Sequence, residues 1–68
     1  MRVTVNGRPR ELPRGATVAR MMEMLEVSPT GRGVAVALDG EVVSRSHWTD
    51  TELHEGALVE VVAAIQGG

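Results

Sequence analysis

The sequence predicts an α+β fold in which one helix packs on a mixed β-sheet. Two dipeptides that favour tight hairpin turns, Asn6-Gly7 and Asp39-Gly40, each lie between stretches that can form strands. One stretch between the two turns has apolar residues at the spacing of a helix, and a long apolar stretch, residues 58–65, follows the second turn. At 68 residues, these elements are expected to form one domain, residues 1–68.

The first hairpin begins at residues 2–5, where polar and apolar side chains alternate as in a half-buried strand. After the turn, residues 8–12 form the second strand. Pro9 cannot donate a hydrogen bond to a neighbouring strand, so this second strand is expected at an edge of the sheet.

The helix is predicted to follow Thr17, a residue type favoured at helix N-caps. The apolar residues Val18, Met21, Met22 and Leu25 come next at i, i+3, i+4 and i+7, and so form one buried stripe. The helix should end before Ser28-Pro29, because a residue that precedes proline disfavours the helical conformation.

The second half of the chain is predicted to contain three strands. Residues 34–38 and 41–43 form a hairpin, residues 44–55 are irregular and packed around Trp48, and residues 58–65 form the last strand. The order of elements is therefore β-β-α-β-β-β. One helix crossing one face of a mixed sheet in this order is the β-grasp arrangement.

The last strand should present one face to the core and one to solvent, because side chains of a strand alternate. Glu60 sets this alternation, since an unpaired carboxylate is almost never buried. Val59, Val61 and Ala63 then point into the core, as do Val34, Val36 and Leu38 on the neighbouring strand. The opposite face carries a flat patch of small and apolar residues, which is the predicted partner-binding surface: Val62, Ala64, Glu60, Ala35 and Ala37.

The composition argues against several classes of function. There is no cysteine, and His47 and His54 are the only histidines, so disulfides, thiolate catalysis and a metal site are not expected. The net charge of −2 and the absence of a basic run argue against nucleic-acid binding. No apolar run approaches the roughly 20 residues of a membrane span, and no signal peptide is visible, so we expect a cytoplasmic protein.

The sequence ends in Gly67-Gly68 after Gln66, directly behind the last predicted strand. A chance Gly-Gly pair at this place is expected in only about one chain in a hundred at this glycine content. Residues without a Cβ can pass through a narrow channel of another protein. We therefore expect a flexible tail whose terminal carboxylate is open to chemistry.

Four segments carry a resemblance to a known family: VTVNG at residues 3–7, VAVALDGEVV at 34–43 leading to SHW at 46–48, LHEGALVEVV at 53–62, and QGG at 66–68. Over its whole length, the chain resembles the bacterial sulfur carrier proteins of the ubiquitin-like ThiS/MoaD family, most closely the carriers of thiamine biosynthesis. The first three segments are mainly fold signals, and the terminal glycine pair is specific to the superfamily.

The resemblance implies a carrier that is not an enzyme and holds no cofactor of its own. In this family an E1-like adenylating enzyme (ThiF type) activates the terminal glycine with ATP and Mg²⁺, and a cysteine desulfurase relay supplies sulfur that turns it into a thiocarboxylate. Gly68 would carry the sulfur, and Gly67 and Gln66 would provide reach. A thiazole synthase (ThiG type) would accept it.

Two alternatives remain open from the sequence. The same carrier chemistry could serve molybdopterin, tRNA thiolation or cysteine synthesis. A different class of protein, a ubiquitin-like modifier joined to lysines of target proteins, would share the fold and the glycine tail.

Overall fold

The computed structural model describes residues 1–25 and 33–63, and this part of the chain contains five strands and one α-helix. The elements are, in order, β1 (Arg2–Val5), β2 (Arg8–Glu11), α1 (Val18–Met24), β3 (Val34–Leu38), β4 (Glu41–Val43) and β5 (Leu58–Ala63). A short 3-10 helix, Arg45–His47, lies in the segment between β4 and β5 that was predicted to be irregular. The predicted order β-β-α-β-β-β is confirmed.

The strands form one mixed sheet in the order β2-β1-β5-β3-β4. β1 and β5 are parallel, and the other neighbouring pairs are antiparallel. β2 lies at an edge, as Pro9 predicted. The predicted β-grasp arrangement is thus confirmed, and it puts β5, the strand that leads to the C-terminus, in the middle of the sheet.

Both hairpins turn as their dipeptides predict. Asn6 and Gly7 have φ of 50° and 80°, and Asp39 and Gly40 have φ of 51° and 87°. Positive φ at both central residues is what a type I′ turn requires, and this turn matches the twist of the strands that it joins.

Helix α1 is held at its start by Thr17, whose hydroxyl oxygen accepts a hydrogen bond from the main-chain N–H of Arg20 at 3.2 Å. Val18, Met21 and Met22 are buried, which confirms the predicted apolar stripe. The helix ends at Met24, ahead of Ser28-Pro29, as predicted.

The core lies between α1 and one face of the sheet, and residues 44–55, the segment predicted to be irregular, contribute to it. Trp48 is buried there, and its indole N–H donates to the main-chain carbonyl of Val43 at 3.0 Å. In the described part of the chain, the buried side chains are all apolar: Val3, Val5, Leu12, Ala16, Val18, Met21, Met22, Val36, Trp48, Leu53, Ala57 and Val59.

Candidate functional site

The central strand β5 alternates between core and solvent as predicted. Val59 is 1% exposed, and Val61 is half-buried and packs against the core. Glu60 and Val62 are exposed on the other face. The predictions for Ala64, for the tail residues Gln66, Gly67 and Gly68, and for the side chain of Ala63 lie outside what the structure describes.

The outer face of the sheet, the one turned away from α1, carries an exposed apolar patch. Strand register places Ala35 opposite Val62 and Ala37 opposite Glu60, so these four residues share that face. Ala35 is exposed and Ala37 is half-buried between its neighbours. The structure thus brings together the described members of the predicted partner-binding surface, and their role in binding stays a prediction.

Two residues belong to this face that the sequence interpretation missed, Leu58 and Val42. They are 60% and 78% exposed, which is unusual for large apolar side chains. Leu58 lies two residues before Glu60 in β5, so the alternation of strand side chains predicts that both point to the same face. Val42 lies opposite Ala37 because a two-residue turn fixes the register of β3 and β4, and this rule was available from Asp39-Gly40. We define the outer patch as Ala35, Ala37, Val42, Leu58, Glu60 and Val62.

A polar cluster fixes the start of β5 to the turn between β3 and β4. The carboxylate of Asp39 accepts a hydrogen bond from the main-chain N–H of Leu58 at 3.0 Å, and its other oxygen lies 2.6 Å from Nε2 of His54. Nδ1 of His54 lies 2.9 Å from the main-chain carbonyl of Glu55. Both ring nitrogens therefore face acceptors, an arrangement that only the protonated imidazolium satisfies fully.

This geometry shifts the pKa of both side chains. The hydrogen bond to Asp39, followed by the one to the carbonyl of Glu55, raises the pKa of His54 above its ordinary value of 6.5. The hydrogen bond from His54, followed by the one from the N–H of Leu58, lowers the pKa of Asp39 below its ordinary value of 3.8. Both side chains are exposed, so the pair is a surface ion pair that links the segment before β5 to the turn between β3 and β4.

A second histidine contact occurs in the 3-10 helix, where the hydroxyl of Ser44 lies 3.0 Å from Nδ1 of His47. The two residues are three apart in sequence and exposed. Among the described residues no carboxylate accepts a hydrogen bond from His47, so this pair lacks the acid that orients a catalytic histidine. Local hydrogen bonding explains the contact.

Residues 1–25 and 33–63 contain neither a metal-binding cluster nor a membrane-spanning helix. Within these ranges, no group of three or more histidine, aspartate and glutamate side chains is placed to hold a metal ion. None of the helical residues described forms a helix long and apolar enough to cross a membrane.

Comparison with known proteins places the chain in a family. The model of the ThiS family matches residues 3–68. The chain belongs to the ThiS family. The family match includes Gly68 and spans all four segments on which the resemblance was based, so that resemblance is confirmed.

Individual relatives agree with the family assignment. The chain is 41% identical over 66 residues to a protein named sulfur carrier protein ThiS from Thermus thermophilus, covering 97% of this chain and 98% of that protein. A crystal structure of the thiamine biosynthesis protein ThiS from Geobacter metallireducens matches with a TM-score of 0.83 and 31% identity, over 100% of both chains. A solution NMR structure of a thiamine biosynthesis protein from the same organism matches with a TM-score of 0.81 and 31% identity, covering 100% of this chain and 88% of that one. The fold is therefore that of known ThiS structures.

Proposed function

We propose that this chain carries sulfur as a thiocarboxylate on Gly68 and donates it for thiazole formation in thiamine biosynthesis. The observation that carries the proposal is the match to a ThiS sulfur carrier over 97% of the chain at 41% identity. The family model also matches through to residue 68, so the terminal Gly67-Gly68 falls within the matched region.

The chemistry explains why a bare carboxylate needs activation. Its carbon is electron-rich and resists attack by nucleophiles. In the proposed sequence, an oxygen of the Gly68 carboxylate attacks the α-phosphorus of ATP, pyrophosphate leaves, and an acyl-adenylate forms. A persulfide on the cysteine desulfurase relay attacks the carbonyl carbon through its terminal sulfur and displaces AMP, which forms an acyl disulfide. A thiol then attacks the donor's sulfur in this acyl disulfide, so that a disulfide forms between thiol and donor and the thiocarboxylate leaves on Gly68.

The chain's own part in this sequence is presentation, so we propose that it is a carrier and not an enzyme. ATP and Mg²⁺ are used by the ThiF-type adenylating enzyme, and the ThiG-type thiazole synthase accepts the sulfur. We propose that these steps take place in the cytoplasm. The structure supports a presenting role, because the strand that precedes the tail lies in the middle of the sheet and is paired on both sides.

The outer patch is the proposed docking surface for these partners. Three of its members, Val42, Leu58 and Val62, are large apolar side chains that are more than half exposed. Exposed apolar groups of this kind often mark interaction sites. Ala64 is the remaining predicted member of this surface.

The proposal is tested by activation assays on variants of the terminus. Pyrophosphate exchange with the ThiF-type enzyme should require Gly68, and deleting Gly68 or adding one alanine after it should abolish exchange. Circular dichroism and unfolding curves of both variants should match those of the unaltered protein, since both changes lie beyond Val59, the last buried side chain in the described part of the chain. Normal exchange by an extended protein that has not been trimmed would show that the terminal carboxylate is not the reacting group.

The acceptor pathway needs a separate assay. The thiocarboxylate form should support thiazole formation by the ThiG-type synthase. It should not transfer its sulfur to a molybdopterin synthase subunit, a tRNA-thiolating enzyme or a cysteine synthase. Transfer to one of those acceptors alone would retain the carrier and reassign its pathway. Covalent adducts with target lysines in cells would favour the protein-modifier alternative.

A further inference from the structure

The parallel pairing of β1 with β5 stops where β1 turns away. The main-chain N–H of Thr4 donates to the carbonyl of Ala57 at 2.9 Å, and the N–H of Asn6 donates to the carbonyl of Val59 at 2.9 Å. One further step of a regular parallel ladder would bring the N–H of Val61 to the main-chain carbonyl of residue 6. That step cannot occur, because Asn6 has φ of 50° and begins the turn to β2.

The side chain of Asn6 replaces the missing strand. Its Oδ1 accepts a hydrogen bond from the N–H of Val61 at 2.8 Å, and its Nδ2 donates to the carbonyl of Val61 at 3.1 Å. An amide side chain has the same donor and acceptor as a peptide group, so it can continue the ladder by one residue. We call this pair of hydrogen bonds the Asn6 clamp.

The clamp acts on the end of β5 that is nearer the tail. The residue pairs between β1 and β5 are Thr4 with Leu58 and Val5 with Val59, so the main chain of β1 reaches no farther than Val59. From Glu60 onward, β3 is the only strand whose main chain pairs with β5 in the described part of the sheet. The Asn6 clamp therefore continues the hydrogen bonding on the β1 side of β5 as far as Val61.

We propose that Asn6 is a positioning residue for the sulfur-carrying terminus, because its clamp fixes the direction in which β5 delivers the tail. This inference rests on the proposed function. Adenylation requires one carboxylate oxygen of the terminus to lie in line with a phosphorus atom. The reaction should therefore be slower when the end of β5, which leads to the terminus, can point in more directions. The outer patch remains available for docking whether or not the clamp is present.

A matched control exists at the other end of the same strand. Asp39 is also a turn residue with positive φ, and its Oδ1 also accepts from a main-chain N–H of β5, that of Leu58 at 3.0 Å. It anchors the start of β5, away from the tail. Asn6→Gly and Asp39→Gly each remove a side-chain anchor while keeping a residue that accepts positive φ.

The first measurement is amide hydrogen exchange, which does not depend on any partner. In Asn6→Gly, exchange at Val61 should become about tenfold faster, since its N–H loses its acceptor, and exchange at Leu58 should be unchanged. Asp39→Gly should show the reverse pattern. Asn6→Asp retains an acceptor for the N–H of Val61 and should recover part of the protection at Val61.

The second measurement is steady-state adenylation by the ThiF-type enzyme. Asn6→Gly should lower kcat by roughly threefold to tenfold with little change in KM, because placement of the reacting group is lost and the docking surface is kept. Asn6→Asp should recover part of that kcat. Asp39→Gly should keep the kcat of the unaltered protein.

The outcomes separate this inference from the proposed function. Failure of the unaltered protein to be adenylated by an active ThiF-type enzyme would overturn the proposed function, and this inference with it. If the unaltered protein is adenylated and Asn6→Gly has the same kcat despite faster exchange at Val61, the positioning role is overturned alone. Equal losses of kcat in Asn6→Gly and Asp39→Gly would also overturn it, because they would show a general loss of stability.

Discussion

Replacing Val62 by aspartate should weaken docking of the adenylating enzyme and leave the domain folded, whereas the same replacement at Val59 should unfold it. Both residues lie in β5, in the middle of the sheet, so the poor strand propensity of aspartate is common to both variants. They differ in environment: Val62 is 61% exposed and Val59 is 1% exposed.

The magnitudes follow from this difference in burial. A buried valine contributes about 1.5–3 kcal/mol, and an unpaired polar group in its place costs a further 1–3 kcal/mol or so. The expected loss for Val59→Asp is therefore roughly 3–6 kcal/mol, against a total free energy of unfolding of about 3–10 kcal/mol for a domain of this size. For Val62→Asp the expected loss is less than about 1 kcal/mol, as for most surface changes. Val61, which is half-buried, should give an intermediate loss.

Two assays read the outcome. Urea unfolding followed by the fluorescence of Trp48, the only tryptophan, gives the stability of each variant. Calorimetric titration with the ThiF-type enzyme should show an affinity for Val62→Asp that is about tenfold lower or more, because the new carboxylate loses its water at the interface. If Val62→Asp unfolds the protein and Val59→Asp is tolerated, the assignment of faces is wrong. If Val62→Asp folds and binds like the unaltered protein, the docking surface lies elsewhere.

Two single contacts give further tests. The pair of His54 and Asp39 should stabilise the fold most when both side chains are charged. Because the folded-state pKa of His54 is raised, the stability that it contributes is fully present below pH 6.5 and is lost as the pH rises through that raised pKa. The stability that Asp39 contributes is lost as the pH falls through its lowered pKa. As the pH rises from about 6.5 through the raised pKa of His54, the melting temperature of the unaltered protein should therefore fall more steeply than that of His54→Gln, and equal slopes would contradict the pairing. Trp48→Phe removes the donor to the carbonyl of Val43 and should cost about 1–3 kcal/mol in urea unfolding followed by circular dichroism, and an unchanged midpoint would show that this hydrogen bond contributes no net stability.

Local rules account for the features of the fold that the sequence predicted well. The turn at Asn6-Gly7 requires positive φ at two successive residues, which few dipeptides accept, so it was visible without tertiary information. The two faces of β5 could be predicted from Glu60, because one carboxylate is enough to identify the exposed face of a strand whose other residues are apolar. The helical spacing of its apolar residues predicted the buried stripe of α1 that includes Met21.

The remaining features depend on contacts between distant parts of the chain. The parallel pairing of β1 with β5 joins the two ends of the sequence, and no short-range pattern determines which strands become neighbours. The side chain of Asn6 could be assigned to a turn, but its hydrogen bonds to Val61 required the position of β5. The link between Asp39 and His54 likewise required the segment before β5 to lie against the second hairpin turn.

The central claim, that Gly68 carries sulfur, is tested most directly by the intact mass of the protein. After incubation with the ThiF-type enzyme, ATP, Mg²⁺, the cysteine desulfurase, cysteine and a thiol reductant, the mass should rise by the difference between sulfur and oxygen. Fragmentation should confine this change to the C-terminal peptide, and a sample without ATP should not change. An unchanged mass in the presence of an enzyme shown to be active on another carrier, or a change located outside the C-terminal peptide, would contradict the account.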